Sequence, residues 1–332
     1  MISTSARVDV CVPTRGAAPY LEQTLDSVLA QTFEDWSMLI SENGPEGGEL
    51  EDRIRRYLSD PRIHYSATGG DLGAAQNHTR LIQAGSAPYV GIIHDDDRWH
   101  PEFLARRFEF LEAHAECGFV FSGNLEIDEQ GREVRRSRLV LAEGAHESAE
   151  VAELLMQRNV IGIPTVLVRR SAYEAVGPAF DDETLAFDYE MWLRLTLRFR
   201  VGYLAVRDAD YRVHSQQVTM TSRRRGEQNV RLLEQIEALL DGAPTVDVDR
   251  KPLRRRLAGA HLSAALDSLQ DADKPSARRH LGHALRIHPS VAVDPRTPAA
   301  LLGLALGARG RRALDRARYL VLRKGLRVHI RR

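Results

Sequence analysis

Three consecutive carboxylates follow a short apolar stretch near the first third of this 332-residue chain. Residues 90–93 read VGII, and His94 is followed by Asp95, Asp96 and Asp97. A short β-branched run predicts a buried strand, and open α/β sheets bind ligands at the carboxyl ends of their strands. Adjacent carboxylates repel unless a cation compensates them, and such oxygen ligands suit Mg²⁺ or Mn²⁺ bridging to a phosphorylated substrate. The alternative interpretation is a solvated acidic turn.

The segments ahead of the acids alternate in a way that would position them. Strands are predicted at 8–12, 36–40, 63–65 and 90–93, with helices between them at 20–31, 50–58 and 74–84. This alternation predicts an α/β fold with a parallel, doubly wound sheet. Because right-handed crossovers place the strand exits on one rim, we expect Thr14, Glu42 and the three acids to meet along one crevice.

The pattern continues and then changes. Further strands are predicted at 118–122, 165–168, 201–206 and 210–213, and further helices at 101–115, 151–158 and from about 188. From about residue 231 Leu, Ala and Arg dominate, and residues 253–288 resemble a single tetratricopeptide-like hairpin. We therefore predict a mostly parallel α/β domain over residues 1–225, a helical region over 226–290, and a linker with a basic amphipathic C-terminal helix over 291–332.

Composition limits the class of protein. The chain is 43% hydrophobic and 28% charged, as is usual for soluble globular proteins. Two cysteines in apolar surroundings, Cys11 and Cys117, predict no disulfide framework and suit a reducing compartment. The N-terminus lacks a signal-peptide pattern, and the longest apolar run, 299–308, is about half the length that a spanning helix needs. We expect a cytoplasmic protein.

Charge is unevenly distributed, although the whole chain has a formal net charge of zero. Residues 301–332 contain ten Lys or Arg and one acid, Asp315, so that residues 1–300 are correspondingly acidic. A basic, leucine-containing tail predicts docking on an anionic membrane surface, which would make the protein peripheral at the inner face of a membrane. The alternative is a helix folded onto the acidic body.

Several stretches resemble glycosyltransferase family 2 of the GT-A type over residues 8 to about 217. They are 10–15 (VCVPTR), 25–32 (LDSVLAQT), 40–43 (ISEN), 73–77 (GAAQN), 94–101 (HDDDRWHP), 187–194 (FDYEMWLR) and 211–214 (YRVH). The resemblance implies a GT-A fold, an inverting and metal-dependent reaction, and a nucleotide-diphosphate sugar as donor. It also implies a carbohydrate or lipid-linked acceptor in cell-surface polysaccharide or glycolipid synthesis, with no nucleic-acid partner.

The resemblance also assigns a group of nucleotide-sugar-binding residues. Glu42 matches the acid that contacts the nucleotide base, where a carboxylate accepts from a pyrimidine ring N–H. The backbone of Pro13 and Thr14 would hold the nucleoside, Arg15 would reach a phosphate, and Asn77 belongs to the same set. A turn-capping role for Glu42 and a plain loop role for Arg15 are the alternatives. A UDP-sugar is the favoured donor.

Two registers fit the acidic triplet to the family. In one, Asp95 and Asp97 form a D-x-D pair. In the other, which is anchored on Trp99 and Pro101 and which we prefer, Asp95 lies on the ribose side and Asp96, with Asp97, binds Mn²⁺ or Mg²⁺. The metal would neutralise charge on the departing diphosphate.

Histidines divide into one predicted ligand and several structural residues. His214 matches a family histidine that approaches the metal or diphosphate from a late loop, and a neutral imidazole suits Mn²⁺. A surface role is its alternative. Four other histidines have no ligand-like spacing and are predicted to be structural, namely His64, His78, His100 and His114.

Asp188 matches the family's general base, which removes the acceptor hydroxyl proton as that oxygen attacks the anomeric carbon. Because Asp188 lies at a predicted helix start, N-capping is the competing explanation. Glu190 is the fallback base, and Trp192 is predicted to lie in the core.

Two other functions compete with a glycosyltransferase. A sugar nucleotidyltransferase would show a glycine-rich basic loop after the first strand, which residues 13–16 match poorly. A non-catalytic nucleotide-binding or interaction module would not need the acidic triplet or Asp188. No P-loop and no G-x-G-x-x-G after the first strand occur, which argues against a P-loop NTPase or a dinucleotide oxidoreductase.

Overall fold

The computed structural model describes residues 5–15, 18–44, 49–177, 180, 186–214 and 225–306. The chain divides into two compact units. The first contains Met1–Met220 and Leu239–Val248, and the second contains Thr221–Ala238 and Asp249–Arg332.

The first unit is built on one mixed sheet. Its strands are β1 (Val8–Thr14), β2 (Trp36–Glu42), β3 (Ile63–Ala67), β4 (Tyr89–Ile92), β5 (Arg98–Trp99), β6 (Cys117–Ile127), β7 (Glu133–Arg136), β8 (Gly144–His146), β9 (Leu167–Arg169) and β10 (Arg200–Arg212). They are ordered β3-β2-β1-β4-β9-β6-β10-β5, with β7 beside β6 and β8 beside β10.

The predicted α/β fold with a helical C-terminal region is confirmed, and the first half of the sheet is parallel as expected. Strands β3, β2, β1 and β4 all run in the same direction. The second half is mixed, because β9 is antiparallel to both β4 and β6, and β5 is antiparallel to β10. Hydrophobic periodicity locates a strand but does not encode the direction of its neighbours, so this mixture was not foreseen.

The two strands predicted at 201–206 and 210–213 form one long strand, β10. Its register against β6 shifts between Leu204 and Arg207 and again between Arg207 and Asp210, as at β-bulges. The intervening Asp208 is buried and accepts from both terminal nitrogens of the fully buried Arg107, at 2.9 and 3.0 Å. This ion pair places the charged Asp208 inside the strand, which interrupts the apolar pattern of residues 201–213.

Helices cover the sheet of the first unit. They are α1 (Leu21–Leu29), α2 (Glu49–Ile54), α3 (Ala74–Ala84), α4 (Phe103–Ala113), α5 (Ser148–Gln157), α6 (Arg170–Val176) and α7 (Phe187–Arg198). Apolar residues at helical spacing face the sheet, so that Leu21, Leu25 and Val28 of α1 pack with Val10 and Val12 of β1. Trp192 of α7 lies in the core, as predicted, where it is buried and stacks on Phe119.

The remaining helices follow β10 along the chain. They are α8 (Arg225–Asp241), α9 (Lys251–Gln270), α10 (Lys274–Ile287) and α11 (Arg296–Leu306). In the second unit α9 and α10 form the hairpin expected over 253–288, joined by a turn in which Asp273 caps α10 by accepting from Ser276 N. The basic C-terminal helix predicted within 291–332 falls beyond residue 306 outside the described residues. Among the described helices, none has the length and apolar character needed to span a membrane.

Candidate active site

The carboxyl ends of the parallel strands bring the predicted crevice residues together. Thr14, the last residue of β1, pairs in register with Glu42, the last residue of β2. On the other side of β1, the Thr14 hydroxyl donates to Oδ2 of Asp95, which follows the neighbouring strand β4, at 2.6 Å. The expectation that these strand exits meet along one rim is therefore confirmed, because parallel strands with right-handed crossovers end on the same side.

Asp95 and Asp96 have different partners in the turn after β4. Asp95 Oδ2 accepts from Thr14 and, at 3.4 Å, from the backbone N–H of Arg15. Burial raises the pKa of Asp95, the Thr14 hydrogen bond lowers it, and the charge of Asp96 raises it again. Asp96 Oδ2 accepts from His214 Nε2 at 2.9 Å, so the predicted metal ligands Asp96 and His214 are in contact.

Asp97 is the most enclosed of the three acids. Its Oδ1 accepts from the backbone N–H of Arg212 at 3.0 Å, whereas the buried Oδ2 has no hydrogen-bond partner within the described part of the chain. Burial and the neighbouring charge of Asp96 raise the pKa of Asp97 well above its usual value. A buried carboxylate oxygen without a donor is costly unless a cation compensates it.

His94, which had no predicted role, completes a cluster with two of the acids. One ligand atom from each of His94, Asp96 and Asp97 lies within 4.8 Å of the other two. This donor set of carboxylate oxygens and one imidazole nitrogen, with the unpartnered Asp97 Oδ2, fits a divalent cation. The sequence feature that could have identified His94 is its position directly before the three acids.

Arg212 was also missed, and it holds the acidic turn in place. Its Nε donates to the Asp96 carbonyl and its Nη1 to the Asp128 carbonyl, both at 2.9 Å. Its guanidinium lies 4.1 Å from the centroid of the Tyr20 ring. A buried arginine at the end of β10 therefore links three separate loops around the acids, and local sequence spacing carries no trace of this link.

Two of the predicted nucleotide-sugar-binding residues, Glu42 and Asn77, form hydrogen bonds within the protein. Glu42 is buried and accepts from the Tyr65 hydroxyl. Asn77 is buried on α3, where its Oδ1 accepts from Ser41 Oγ at 2.5 Å and its Nδ2 donates to the Ser41 carbonyl at 3.1 Å. Its amide thus ties α3 to β2.

The two remaining predicted nucleotide-sugar residues lie near the end of β1, Pro13 within the strand and Arg15 just after it. Pro13 pairs in register with Ser41 in the sheet. Arg15 lies at the exposed rim, where its guanidinium pairs with Asp71 at 2.6 Å. Pro13 is buried within β1, and Arg15 is an exposed residue directly after it.

Asp188 is the second residue of α7, whose N-cap is Ala186, so it is not the capping residue. Its Oδ2 accepts from Asn159 Nδ2 at 3.1 Å. Burial raises the pKa of Asp188, while hydrogen bonding to the Tyr189 backbone, the charge of His94 and the Asn159 hydrogen bond lower it. The fallback base, Glu190, pairs with Arg194 at 2.9 Å.

Aromatic contacts connect the start of α7 to the acidic turn. The ring centroid of Phe187 lies 5.0 Å from that of His78, and His78 Nε2 lies 3.0 Å from His94 Nε2. His78, predicted to be structural, therefore lies between the helix that carries Asp188 and the cluster of His94, Asp96 and Asp97. The arrangement places a carboxylate with a raised pKa near a cluster suited to a divalent cation.

Comparison with solved structures supports the fold. Staphylococcus aureus TarS residues 1–349, solved in complex with UDP-GlcNAc, matches with a TM-score of 0.67 at 15% identity, over 95% of this chain and 92% of that one. The mannosyltransferase PcManGT from Pyrobaculum calidifontis, solved with GDP-Man and Mn²⁺, matches with a TM-score of 0.55 at 19% identity, over 95% and 85%. At these identities the likeness concerns the fold alone.

The relatives found by sequence match over a smaller part of both chains than the solved structures do. The putative teichuronic acid biosynthesis glycosyltransferase TuaG of Bacillus subtilis is 28% identical over 49% of this chain and 62% of its own length. An uncharacterized glycosyltransferase of Methanocaldococcus jannaschii is 22% identical over 53% and 59%. The putative colanic acid biosynthesis glycosyl transferase WcaA of Escherichia coli is 25% identical over 58% and 67%. The chain thus spans about three-fifths of the length of the first two relatives.

One family model covers half of the chain. Residues 9–176 match the family described as glycosyl transferase family 2, and this match includes most of β1, all of β2 and the acidic turn. The match agrees with the strand-exit geometry and with the resemblance found in the motifs. The chain belongs to glycosyltransferase family 2.

Proposed function

We propose that this protein is an inverting, metal-dependent glycosyltransferase that moves a sugar from a nucleotide-diphosphate sugar to an acceptor hydroxyl. The observation that carries the proposal is the position of Asp188, whose pKa is raised, near the cluster of His94, Asp96 and Asp97. A base candidate and a cation site at one crevice are the two components that such a transfer requires.

The inverting reaction assigns Asp188 a single task. Its carboxylate would accept the proton of the acceptor hydroxyl while that oxygen attacks the anomeric carbon from the face opposite the diphosphate. An α-linked donor would then give a β-linked product. The raised pKa makes Asp188 a stronger base than an ordinary aspartate, and Asn159 orients the carboxylate through its hydrogen bond.

Asp96, Asp97 and His214 are the residues proposed to hold Mn²⁺ or Mg²⁺. When bound, the ion would supply positive charge against the departing diphosphate. His214 contacts Asp96, and the unpartnered Asp97 Oδ2 offers the second carboxylate oxygen. Asp95, held by Thr14, would accept from the ribose hydroxyls on the nucleoside side.

A UDP-sugar is the proposed donor. Glu42 lies at the end of β2, where its carboxylate would accept from the ring N–H of a uracil, and Pro13, Thr14, Arg15 and Asn77 border the same strand ends. Support comes from TarS, which was solved with UDP-GlcNAc, whereas PcManGT was solved with GDP-Man and Mn²⁺.

Cell-surface polysaccharide or glycolipid synthesis is the proposed setting, supported by the similarity to TuaG and WcaA, which are described as putative enzymes of teichuronic acid and colanic acid biosynthesis. The acceptor would be a carbohydrate or a lipid-linked saccharide. We propose that the basic segment in residues 301–332 docks the protein on the anionic inner face of a membrane, which brings it close to a lipid-linked acceptor. The domain limits proposed from the sequence are 1–225, 226–290 and 291–332.

Calorimetric titration with UDP, GDP and dTDP, each with and without Mn²⁺, tests this function. We expect UDP to bind most tightly and to need the metal. Equal binding with and without Mn²⁺ would contradict metal dependence. Absence of binding by all three diphosphates would contradict the glycosyltransferase proposal itself and favour a non-catalytic interaction module.

A further inference from the structure

The imidazole of His94 lies between a second imidazole and the acidic turn. Its Nε2 is 3.0 Å from Nε2 of His78, and the two rings are nearly perpendicular, at 84°. Its Nδ1 is 4.0 Å from Asp97 Oδ2. The two ring nitrogens of His94 therefore face different environments, and the position of its proton decides what each can do.

A chain of hydrogen bonds fixes that proton. His78 Nδ1 lies 2.7 Å from the carbonyl oxygen of Ala74, which only accepts, so Nδ1 of His78 must carry hydrogen. His78 is buried against the rings of Phe180 and Phe187, and with its hydrogen on Nδ1 it has a lone pair on Nε2, 3.0 Å from His94 Nε2. In this arrangement His94 donates from Nε2 to His78 and has its lone pair on Nδ1.

The lone pair of His94 Nδ1 faces an oxygen that also lacks a proton donor. Asp97 Oδ2 is buried and has no hydrogen-bond partner among the residues that the structure describes. Two acceptors that face each other in a buried place call for a cation between them. The two atoms are 4.0 Å apart, so a divalent cation held by Asp97 would also be within reach of His94.

We infer that His94 Nδ1 is a nitrogen ligand of the divalent ion proposed for Asp96 and Asp97, and that His78 is the residue that positions it. The inference rests on the metal-dependent function proposed above and adds a residue to its site. An imidazole ligand raises affinity for Mn²⁺ relative to Mg²⁺, which favours oxygen ligands. His94 thus determines metal preference, and His78 acts by fixing the tautomer and orientation of its ring.

Pulsed electron paramagnetic resonance of the Mn²⁺-loaded full chain with UDP tests the ligand, because it detects ¹⁴N bound directly to Mn²⁺. Since His214 is also a proposed ligand, His214→Gln serves as the parent chain. We expect imidazole coupling in His214→Gln and its loss in the double variant His94→Asp with His214→Gln, in which an oxygen ligand replaces the nitrogen. Coupling that is absent from the parent, or that persists in the double variant, would overturn the assignment of His94.

Competition between Mn²⁺ and Mg²⁺, followed by calorimetry, tests metal preference. His94→Asp is expected to lower the preference for Mn²⁺ about tenfold or more, and His78→Phe to weaken Mn²⁺ binding about 10–100-fold. His114→Gln, a change at the end of α4, is the matched control and should behave as the unaltered chain. An unchanged Mn²⁺ preference in His94→Asp, or unchanged Mn²⁺ affinity in His78→Phe, would overturn the corresponding role.

Failure of the inference and failure of the proposed function give different results. If the unaltered chain takes up no Mn²⁺ in the presence of UDP, the metal-dependent function is wrong and the inference falls with it. If it takes up Mn²⁺ without nitrogen coupling from His94, only the inference is wrong. Tryptophan fluorescence of each variant confirms folding, since Trp36, Trp99 and Trp192 are all buried.

Discussion

The backbone N–H of Arg212 donates to Asp97 Oδ1 at 3.0 Å, although 115 residues separate the two in the chain. Through this bond the end of β10 determines where the acidic turn after β4 lies. The guanidinium of the same arginine donates to the Asp96 carbonyl, so both the side chain of one acid and the backbone of another depend on it. The candidate site is therefore assembled from strand ends that are distant in sequence.

Asp188→Asn is expected to lower kcat about 10²–10⁴-fold while leaving UDP affinity within about threefold, because asparagine cannot accept the acceptor proton. Initial rates of sugar transfer and calorimetric binding of UDP measure the two effects. Asp247→Asn, at an exposed position, is the matched control. Turnover near that of the unaltered chain would show that Asp188 is not the base.

Asn159→Ala is expected to move the acidic limb of the kcat/KM profile to higher pH. A base works when deprotonated, so activity falls as pH drops through the pKa of Asp188, which burial raises. The Asn159 hydrogen bond favours the charged carboxylate, and removing it raises that pKa further. A limb that stays in place, or one that also moves in the exposed control Asn229→Ala, would contradict this account.

Thr14→Val removes the hydroxyl that holds Asp95 while keeping the side-chain shape. A hydrogen bond to a charged group contributes about 1.5–3 kcal/mol, so UDP binding should weaken roughly 10–100-fold if Asp95 contacts the ribose. Calorimetry with UDP and Mn²⁺ measures this, with the exposed Thr245→Val for comparison. Unchanged affinity would exclude a role of the Thr14–Asp95 pair in donor binding.

Arg107→Met is expected to reduce the free energy of unfolding of the first unit by about 3–5 kcal/mol, because the buried Asp208 loses its bidentate partner and keeps only the longer 3.8 Å pair with Arg106. Burial raises the pKa of Asp208, but Arg107 more than offsets this and the pKa is lowered overall, so the stabilisation is lost as pH falls through that pKa. Urea unfolding followed by tryptophan fluorescence reports on this unit.

The double variant Arg107→Met with Asp208→Leu provides the control for that ion pair. It should be more stable than Arg107→Met alone, because no unpaired buried charge remains. A double variant as unstable as the sum of its single changes would mean that the two side chains act independently.

Truncation after Leu306 is expected to reduce co-sedimentation with anionic liposomes, because the basic segment is removed while α11 stays intact. Replacing Arg309, Arg311 and Arg312 by Gln should have a partial effect, since each charge near an anionic surface contributes about 1 kcal/mol. Neutral liposomes and raised salt serve as controls. Equal sedimentation of the full and truncated chains would contradict membrane docking.

The amino-acid sequence by itself determined the local elements and the chemistry placed at their ends. Apolar periodicity located the first four strands and the helices between them, and right-handed crossover geometry placed Thr14, Glu42 and the acids on one rim. It also placed Asp188 in the first turn of a helix, because the apolar spacing of residues 187–195 is helical. These inferences succeeded because they depend on neighbours along the chain and on a general rule of handedness.

Only the tertiary structure decided the contacts between distant segments. It placed His78 against His94, Arg212 around the acidic turn and Asp208 against Arg107, and it set β9 antiparallel to its neighbours. Hydrophobic periodicity predicts which positions are buried but not which residues are in contact. A charged residue that is buried with a partner therefore cannot be distinguished from an exposed one by sequence pattern. The ring orientation of His94, on which its proposed ligand role rests, follows from packing and cannot be inferred from spacing.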